Sequence, residues 1–293
     1  MTKETGLVSD ESADTAAAAA RHAQRLARIR FVLVETSLSG NIGATARAMK
    51  NMGLARLALV RPKLGARFAD ADALARASGA DDLLAAASVH SDLADALAGC
   101  RLVLGSSARA RALAWPELDA AGCGARLVAE AAHGDVALVL GRESTGLSND
   151  ELACCHYLVR IPTNPDFSSL NIAAAAQVFA YEIRRHLLAA ASVDAAAYAA
   201  TSAPTPTPML ADERPDLATA EAMEGFHEHL LQTLIAIGYA DADQCRTLSR
   251  RLRRLFHRAR PDRTELNILR GVLAKMAGRP GVAEGRGRRT SID

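Results

Sequence analysis

The sequence predicts an α/β protein, a mainly parallel sheet with helices on its faces, followed by a small all-α C-terminal domain. Three observations predict it. Short apolar runs of strand length recur at 31–35, 57–60, 101–104, 136–140 and 157–161, and each leads into small residues and then a helical pattern. Pro204, Pro206 and Pro208 alternate in TSAPTPTPML, a stretch that cannot continue a helix and reads as an extended linker. Beyond it, three helical patterns follow with no strand among them.

Taken in order, residues 1–28 combine polar scatter with the alanines 16–20 and offer little to pack, so a mobile N-terminal segment is expected. FVLVE opens the first strand, and TSLSGNIGATARAMKNMG is a glycine-punctuated loop feeding a helix that stops at Gly53. The chain from 61 to 99 is polar and alanine-rich and reads as helical connector. RLVL runs into GSSARAR, and a helix over 124–132 precedes the strand Val136 to Leu140. After the strand Tyr157 to Ile161, the sequence NIAAAAQVFAYEIRRHLLAAA is a long helix, with Ile172, Ala176, Phe179, Ile183 and Leu187 on one stripe. The boundaries expected are a main domain over 29–192, a linker over 193–215, a helical extension over 216–278 and a disordered basic tail over 279–293.

Composition narrows the classes. Formal net charge is only +2, yet Arg246, Arg250, Arg251, Arg253, Arg254, Arg258 and Arg260 fall between Cys245 and Arg260 with no carboxylate among them. A strongly basic face is expected there, suited to phosphate. The five cysteines show no CxxC spacing, which argues against a zinc or redox site, and the histidines form no ligand cluster, so no metal is expected. No stretch approaches the roughly 18 apolar residues of a membrane span, and the N-terminus lacks the features of a signal peptide, so the cytoplasm is the default location.

Three segments carry chemistry. GRESTGLS (141–148) has P-loop spacing, but Leu147 stands where the lysine should be, which removes the nucleoside-triphosphate reading. Ser148 and Glu151 form a capping box for the next helix, which leaves Glu143, at a strand end, unexplained by local structure. In IPTNPDFSSLN, Ser168 and Ser169 are either caps of the long helix or ligands. In NIGATARAMKNMG, Asn41 reads as a cap, Ile42, Ala46 and Met49 as the buried stripe, and Arg47 as either solvated or reaching a phosphate or reacting oxygen. A dehydrogenase is disfavoured, because no G-x-G-x-x-G follows the first strand.

Read together, NIGATARAMKNMG, ALVLGRESTGLSNDEL and IPTNPDFSSLNIAAAAQV resemble, in order, the three motifs of the SpoU group of SPOUT RNA 2′-O-methyltransferases, over about residues 30–190. The segment RRLRRLFHRARPDRTELNILRGVL resembles the helical extension of the TrmJ type, which methylates the ribose of the pyrimidine at nucleotide 32 of the tRNA anticodon loop. The resemblance implies a parallel sheet whose last segment forms a deep trefoil knot, an exception to the rule that chains do not thread. It implies S-adenosylmethionine bound among Ser106, Ser107 and Ala108, Gly141, and Ile161 with Ser168, Ser169 and Leu170. It makes Arg47, Asn41, Glu143, Ser169 and Asn171 the catalytic set, Arg47 acting on the cofactor of the other subunit of a homodimer. Arg246, Arg250, Arg253 and Arg254 are the expected phosphate contacts. The rivals are action on another tRNA or rRNA site, or a catalytically inactive RNA-binding protein of the same fold.

Overall fold

The computed structural model describes residues 8–65, 68–108, 115–199, 216–241 and 245–277. Seven strands form one parallel sheet in the order β3-β2-β1-β6-β4-β7-β5. Its centre is β1 (Ile29–Val34), β2 (Arg56–Val60), β4 (Leu102–Ser106), β6 (Val136–Leu140) and β7 (Tyr157–Arg160). These are the apolar runs of the sequence, and they read as continuous rather than alternating because both faces are covered. The edge strands β3 (Ser88–His90) and β5 (Glu117–Asp119) are three residues each, largely exposed and without an apolar run. The stretch 61–99, expected to be helical connector, therefore also contains a strand.

Alternate residues of each strand face opposite cores. On one side Phe31, Leu33, Leu59, Leu104, Leu138 and Leu140 pack against α2 (Ser39–Asn51), α6 (Ala120–Glu130) and α8 (Ile172–Ala199). All five stripe residues of α8 are buried there. Gly43 and Gly124 allow close helix approach: a Cβ on Gly43 would meet the Ala73 carbonyl oxygen at 2.0 Å, and one on Gly124 the Glu182 carbonyl carbon at 2.6 Å. On the other side Val32, Val34, Ala58, Val60, Ala137 and Val139 pack against α5 (Leu93–Leu97) and α7 (Asn149–Leu152). The long helix continues to Ala199, so residues 193–199 are helix where a linker was expected; the prolines 204–208, like the tail 279–293, lie outside the described residues. The N-terminal segment forms α1 (Val8–Ala27), whose Leu26 is buried in the first core.

The C-terminal helices α9 (Ala220–Ala236), α10 (Cys245–Ala259) and α11 (Arg263–Ala277) enclose a core of Met223, Phe226, Leu266 and Leu273. They dock on the second face of the sheet. The Ala220 N–H donates to the Cys100 carbonyl at 2.8 Å, and Arg260 donates to the fully buried Glu130 at 2.7 Å, a carboxylate that also accepts from Arg101 at 3.0 Å. Among the described residues no helix is long and apolar enough to cross a membrane.

Three buried histidines line the same junction: His156 of the sheet domain lies 4.7 Å from His257 of α10, ring to ring, and His257 lies 5.7 Å from His227 of α9. Burial, then the charge of Arg253, holds His257 down to about 4; burial, then Arg253 and His257, holds His227 down to about 2; and burial, then His257 and Arg260, holds His156 well below its ordinary value. Each is thus neutral when folded but takes a proton near 6.5 when unfolded, so the unfolded chain binds more protons below that pH and stability falls as the pH falls. Acidification from about pH 7 towards about pH 4 should cost roughly 1.4 kcal/mol per pH unit for each such histidine once below 6.5. Urea midpoints across that range measure it, and an unchanged midpoint contradicts it.

Candidate functional site

In a parallel sheet every strand delivers its C-terminal end to the same edge, and a cleft forms where neighbouring strands pass into loops. Here three adjacent strands do so. At the end of β4 come Ser106, Ser107 and Ala108; after β6 the turn Gly141 to Gly146; after β7 Ile161, Thr163 and Ser168 to Leu170. They line one cleft that opens to solvent, at the strand-end edge where parallel sheets take ligands. All the residues expected at the cofactor, Ser106, Ser107, Ala108, Gly141, Ile161, Ser168, Ser169 and Leu170, border this cleft, as does Glu143.

Gly141 is required by space. A Cβ there would stand 2.2 Å from the Gly146 carbonyl carbon and 2.3 Å from the Leu147 nitrogen, because the chain turns back on itself with Arg142 and Gly146 exchanging main-chain hydrogen bonds of 3.3 and 2.9 Å. The α7 helix after this turn starts with the expected capping box of Ser148 and Glu151.

Glu143 is held from the α2 side. It accepts from Ser37 N–H at 3.3 Å, from Ser37 Oγ at 3.2 Å and from Asn41 Nδ2 at 3.0 Å. Burial pushes its pKa up, but the hydrogen bonds from Asn41 and Ser37 more than offset this and keep it below the ordinary carboxylate value. Asn41 is not a helix cap: it lies inside α2, whose N-cap is Leu38 without a side-chain bond, and its Oδ1 accepts from Asn171 Nδ2 at 2.9 Å. Asn171, and neither serine, caps α8, its Oδ1 accepting from Ala173 N–H at 2.9 Å. The three motifs thus meet in one chain of contacts, Asn171 to Asn41 to Glu143.

Arg47 lies apart. It is exposed on α2, does not border the cleft, and makes no hydrogen bond or ion pair with any described residue. Two of the four expected phosphate contacts are also used differently. Arg250 pairs with Asp150 of α7 at 2.8 Å, and Arg253 pairs with Glu224 of α9. The lack of acids within 245–260 concealed these partners, which come from other elements. Arg246 and Arg254 have no such partner among the described residues, nor do Arg251 and Arg258 of the same basic run, both exposed.

One site residue had no sequence signal beyond its charge. Arg142 borders the cleft and is held between Glu35 and Glu151. Among the described residues no group of three or more His, Cys, Asp or Glu side chains is placed to hold a metal ion.

The model of the SpoU rRNA Methylase family matches residues 28–181, and that of the TrmJ tRNA methyltransferase C-terminal domain matches residues 221–287. The chain is 49% identical over 251 residues to the Klebsiella pneumoniae protein named tRNA (cytidine/uridine-2'-O-)-methyltransferase TrmJ, covering 86% of this chain and 97% of that one; the Salmonella typhimurium protein of that name matches with the same figures. Its structure resembles TrmJ from Z. mobilis ZM4, with a TM-score of 0.70 and 30% identity over 84% of this chain and 98% of that one. A probable methylase family protein from Haemophilus influenzae Rd KW20 gives a TM-score of 0.54 at 37% identity, over 86% and 96%.

Gly141→Ala should destabilise the fold by about 1–3 kcal/mol, as overpacking of a tight site does. It should also weaken binding of any small molecule in the cleft. Urea melts and calorimetric titration check the two effects, and unaltered binding would show that the turn is not a wall of the site.

Proposed function

Since the chain belongs to the SpoU methylase family and carries a TrmJ-type C-terminal domain, we propose that it methylates the ribose 2′-hydroxyl of the pyrimidine at nucleotide 32 in the tRNA anticodon loop. The observation that carries this is the meeting of the three motif segments, through Asn171, Asn41 and Glu143, beside a cleft walled by three strand-end loops. The choice of tRNA over rRNA rests on the extension and on relatives at 49% identity named for cytidine and uridine 2'-O-methylation of tRNA. The same reading assigns the protein to the cytoplasm.

S-adenosylmethionine is the methyl donor in this proposal. The fit is good: Gly141, in a turn that admits no side chain, presents bare backbone to the cleft, and the serines of two loops offer hydroxyls and N–H groups to a nucleoside. When bound, the donor supplies a methyl group already activated by the positive charge on its sulfur. What remains for the protein is alignment and charge control.

Arg47 is not cast as a base, since a guanidinium offers five donors and no acceptor. It stabilises the negative charge developing on the ribose oxygen and holds the adjoining phosphate. Glu143 is a poor proton acceptor, because its oxygens already accept from Ser37 and Asn41 and its pKa is lowered. Its role is to fix α2 against the cleft, and the proton leaves to phosphate or water.

Arg47 does not border its own cleft, so it serves that of a second copy in a homodimer. Support for the dimer lies on α8: Ala174, Tyr181 and Leu188, at seven-residue steps, form an exposed apolar stripe, with Tyr181 53% and Leu188 52% exposed. The knotted path is part of the same proposal: β7 runs between β4 and β5, and the chain then returns to α8 beside α2 and α6.

Arg47→Ala should lower kcat by about 10²–10³-fold, the usual loss for one transition-state donor. Cofactor affinity should hold. Mixing Arg47→Ala chains with Gly141→Val chains should restore activity that neither homodimer has; no restoration would place Arg47 in its own subunit's site. Mass spectrometry of nuclease fragments of tRNA, from cells with and without the gene, reads the methylated position.

The phosphate contacts narrow to Arg246 and Arg254 with Arg251 and Arg258. Changing Arg251, Arg254 and Arg258 to Gln should weaken tRNA binding and reduce the slope of log affinity against log salt by about one per arginine. Arg250→Gln should instead loosen the docking of α10. Filter binding over a salt series distinguishes these, and an unchanged slope would move the RNA elsewhere.

A further inference from the structure

A cleft-lining arginine ordinarily suggests a ligand for a carboxylate. Arg142 is already fully used. Its Nε donates to Glu35 Oε2 at 3.0 Å, Nη2 to Glu35 Oε1 at 2.7 Å and to Glu151 Oε1 at 2.9 Å, and Nη1 to Glu151 Oε2 at 2.8 Å and to the Gly146 carbonyl at 3.3 Å. All five N–H groups of a guanidinium are thereby accounted for.

The two carboxylates come from different places. Glu35 directly follows β1, and Glu151 is the third residue of α7, whose side chain reaches back to the N-cap Ser148. Arg61, at the end of β2, braces both, reaching Glu35 at 3.1 Å and Glu151 at 3.3 Å. Glu35 and Arg61 both have left-handed backbone, with φ of 48° and 45°. Side chains other than glycine adopt that conformation only where surrounding contacts enforce it. Two residues beyond Glu35, Ser37 holds Glu143, the neighbour of Arg142. The segments 35–41 and 141–146 are thus stapled twice, and α2 with Arg47 starts from the first of them.

We propose that Arg142, clamped between Glu35 and Glu151, is a positioning residue for methyl transfer: it sets the 141–146 turn against the start of α2, and it does not bind the methyl donor. This rests on the proposed function only in its kinetic consequence.

The test is a double-mutant cycle in the full-length protein with Glu35→Gln, Arg142→Gln and the double variant. Glu35 does not border the cleft, so its substitution tests the clamp while leaving the cleft wall unchanged. Because the pair acts as a unit, each single change should lower kcat with tRNA about tenfold or more, the double variant should lose no more than about twofold beyond the worse single, and the KM for tRNA should stay within about twofold. Arg142→Lys should rescue little, since an ammonium cannot make the fork. Multiplied losses, or full turnover in Glu35→Gln, would overturn the proposal. Amide hydrogen exchange at 36–41 and 141–147 gives a readout without substrate. Both segments should exchange faster in both single variants, and exchange faster only at 141–147 in Arg142→Gln would also overturn it. Wild-type protein that transfers no methyl group to tRNA would count against the function alone, leaving the exchange result to decide the clamp.

Discussion

Asn41 is the tie on which the site depends. Its amide nitrogen donates to Glu143 and its amide oxygen accepts from Asn171, so one side chain joins segments separated by 102 and 130 residues. An amide suits this place because it carries a donor and an acceptor on one planar group. Aspartate would set a second carboxylate against Glu143, and leucine would take away the bond that each of Glu143 and Asn171 Nδ2 makes here. With Asn41 buried and both its ends bonded, α2, the β6 turn and the start of α8 are tied into one frame beside the cleft.

The frame stands on sheet geometry. Parallel pairing of β6 with β4, and of β4 with β7, brings Leu140, Ser106 and Arg160 to a common edge, where each chain must leave in a loop. Buried strands give stiff walls, and small residues in the loops leave main-chain groups accessible. The wall at Gly141 shows the limit of that accessibility, since the turn there is too tight even for a methyl group.

Much of this was legible in the sequence, for physical reasons. The five central strands are buried on both faces, and such strands must be apolar throughout, so their runs stand out. The stripe of α8 and the box of Ser148 and Glu151 depend on spacing alone and were equally visible. The edge strands were not: Ser88–His90 and Glu117–Asp119 bury little, and pairing holds them without any apolar pattern. The partners of Arg250 and Arg253 were hidden because ion pairs across elements leave no mark on local sequence. The same holds for Asn41, whose local pattern suggests a cap but whose bonds run to residues far away in the chain.

The extension illustrates how packing can override an expectation of independence. A proline-rich stretch argues for a domain on a tether, yet α9 lies on the sheet's second face and Arg260 enters the protein to meet Glu130. Glu130 is fully buried, and Arg101 from the start of β4 shares it. A buried carboxylate is tolerated only when its charge is matched and its oxygens are bonded, so withdrawing Arg260 would strand part of that charge inside the protein. The cost of undocking therefore exceeds what the small apolar contact at Ala220 would suggest. An extension fixed in this way presents its outward arginines, Arg251, Arg254 and Arg258, at a set distance from the cleft. With these arginines as the proposed phosphate contacts, such a fixed distance to the cleft is what selecting one nucleotide along an RNA requires.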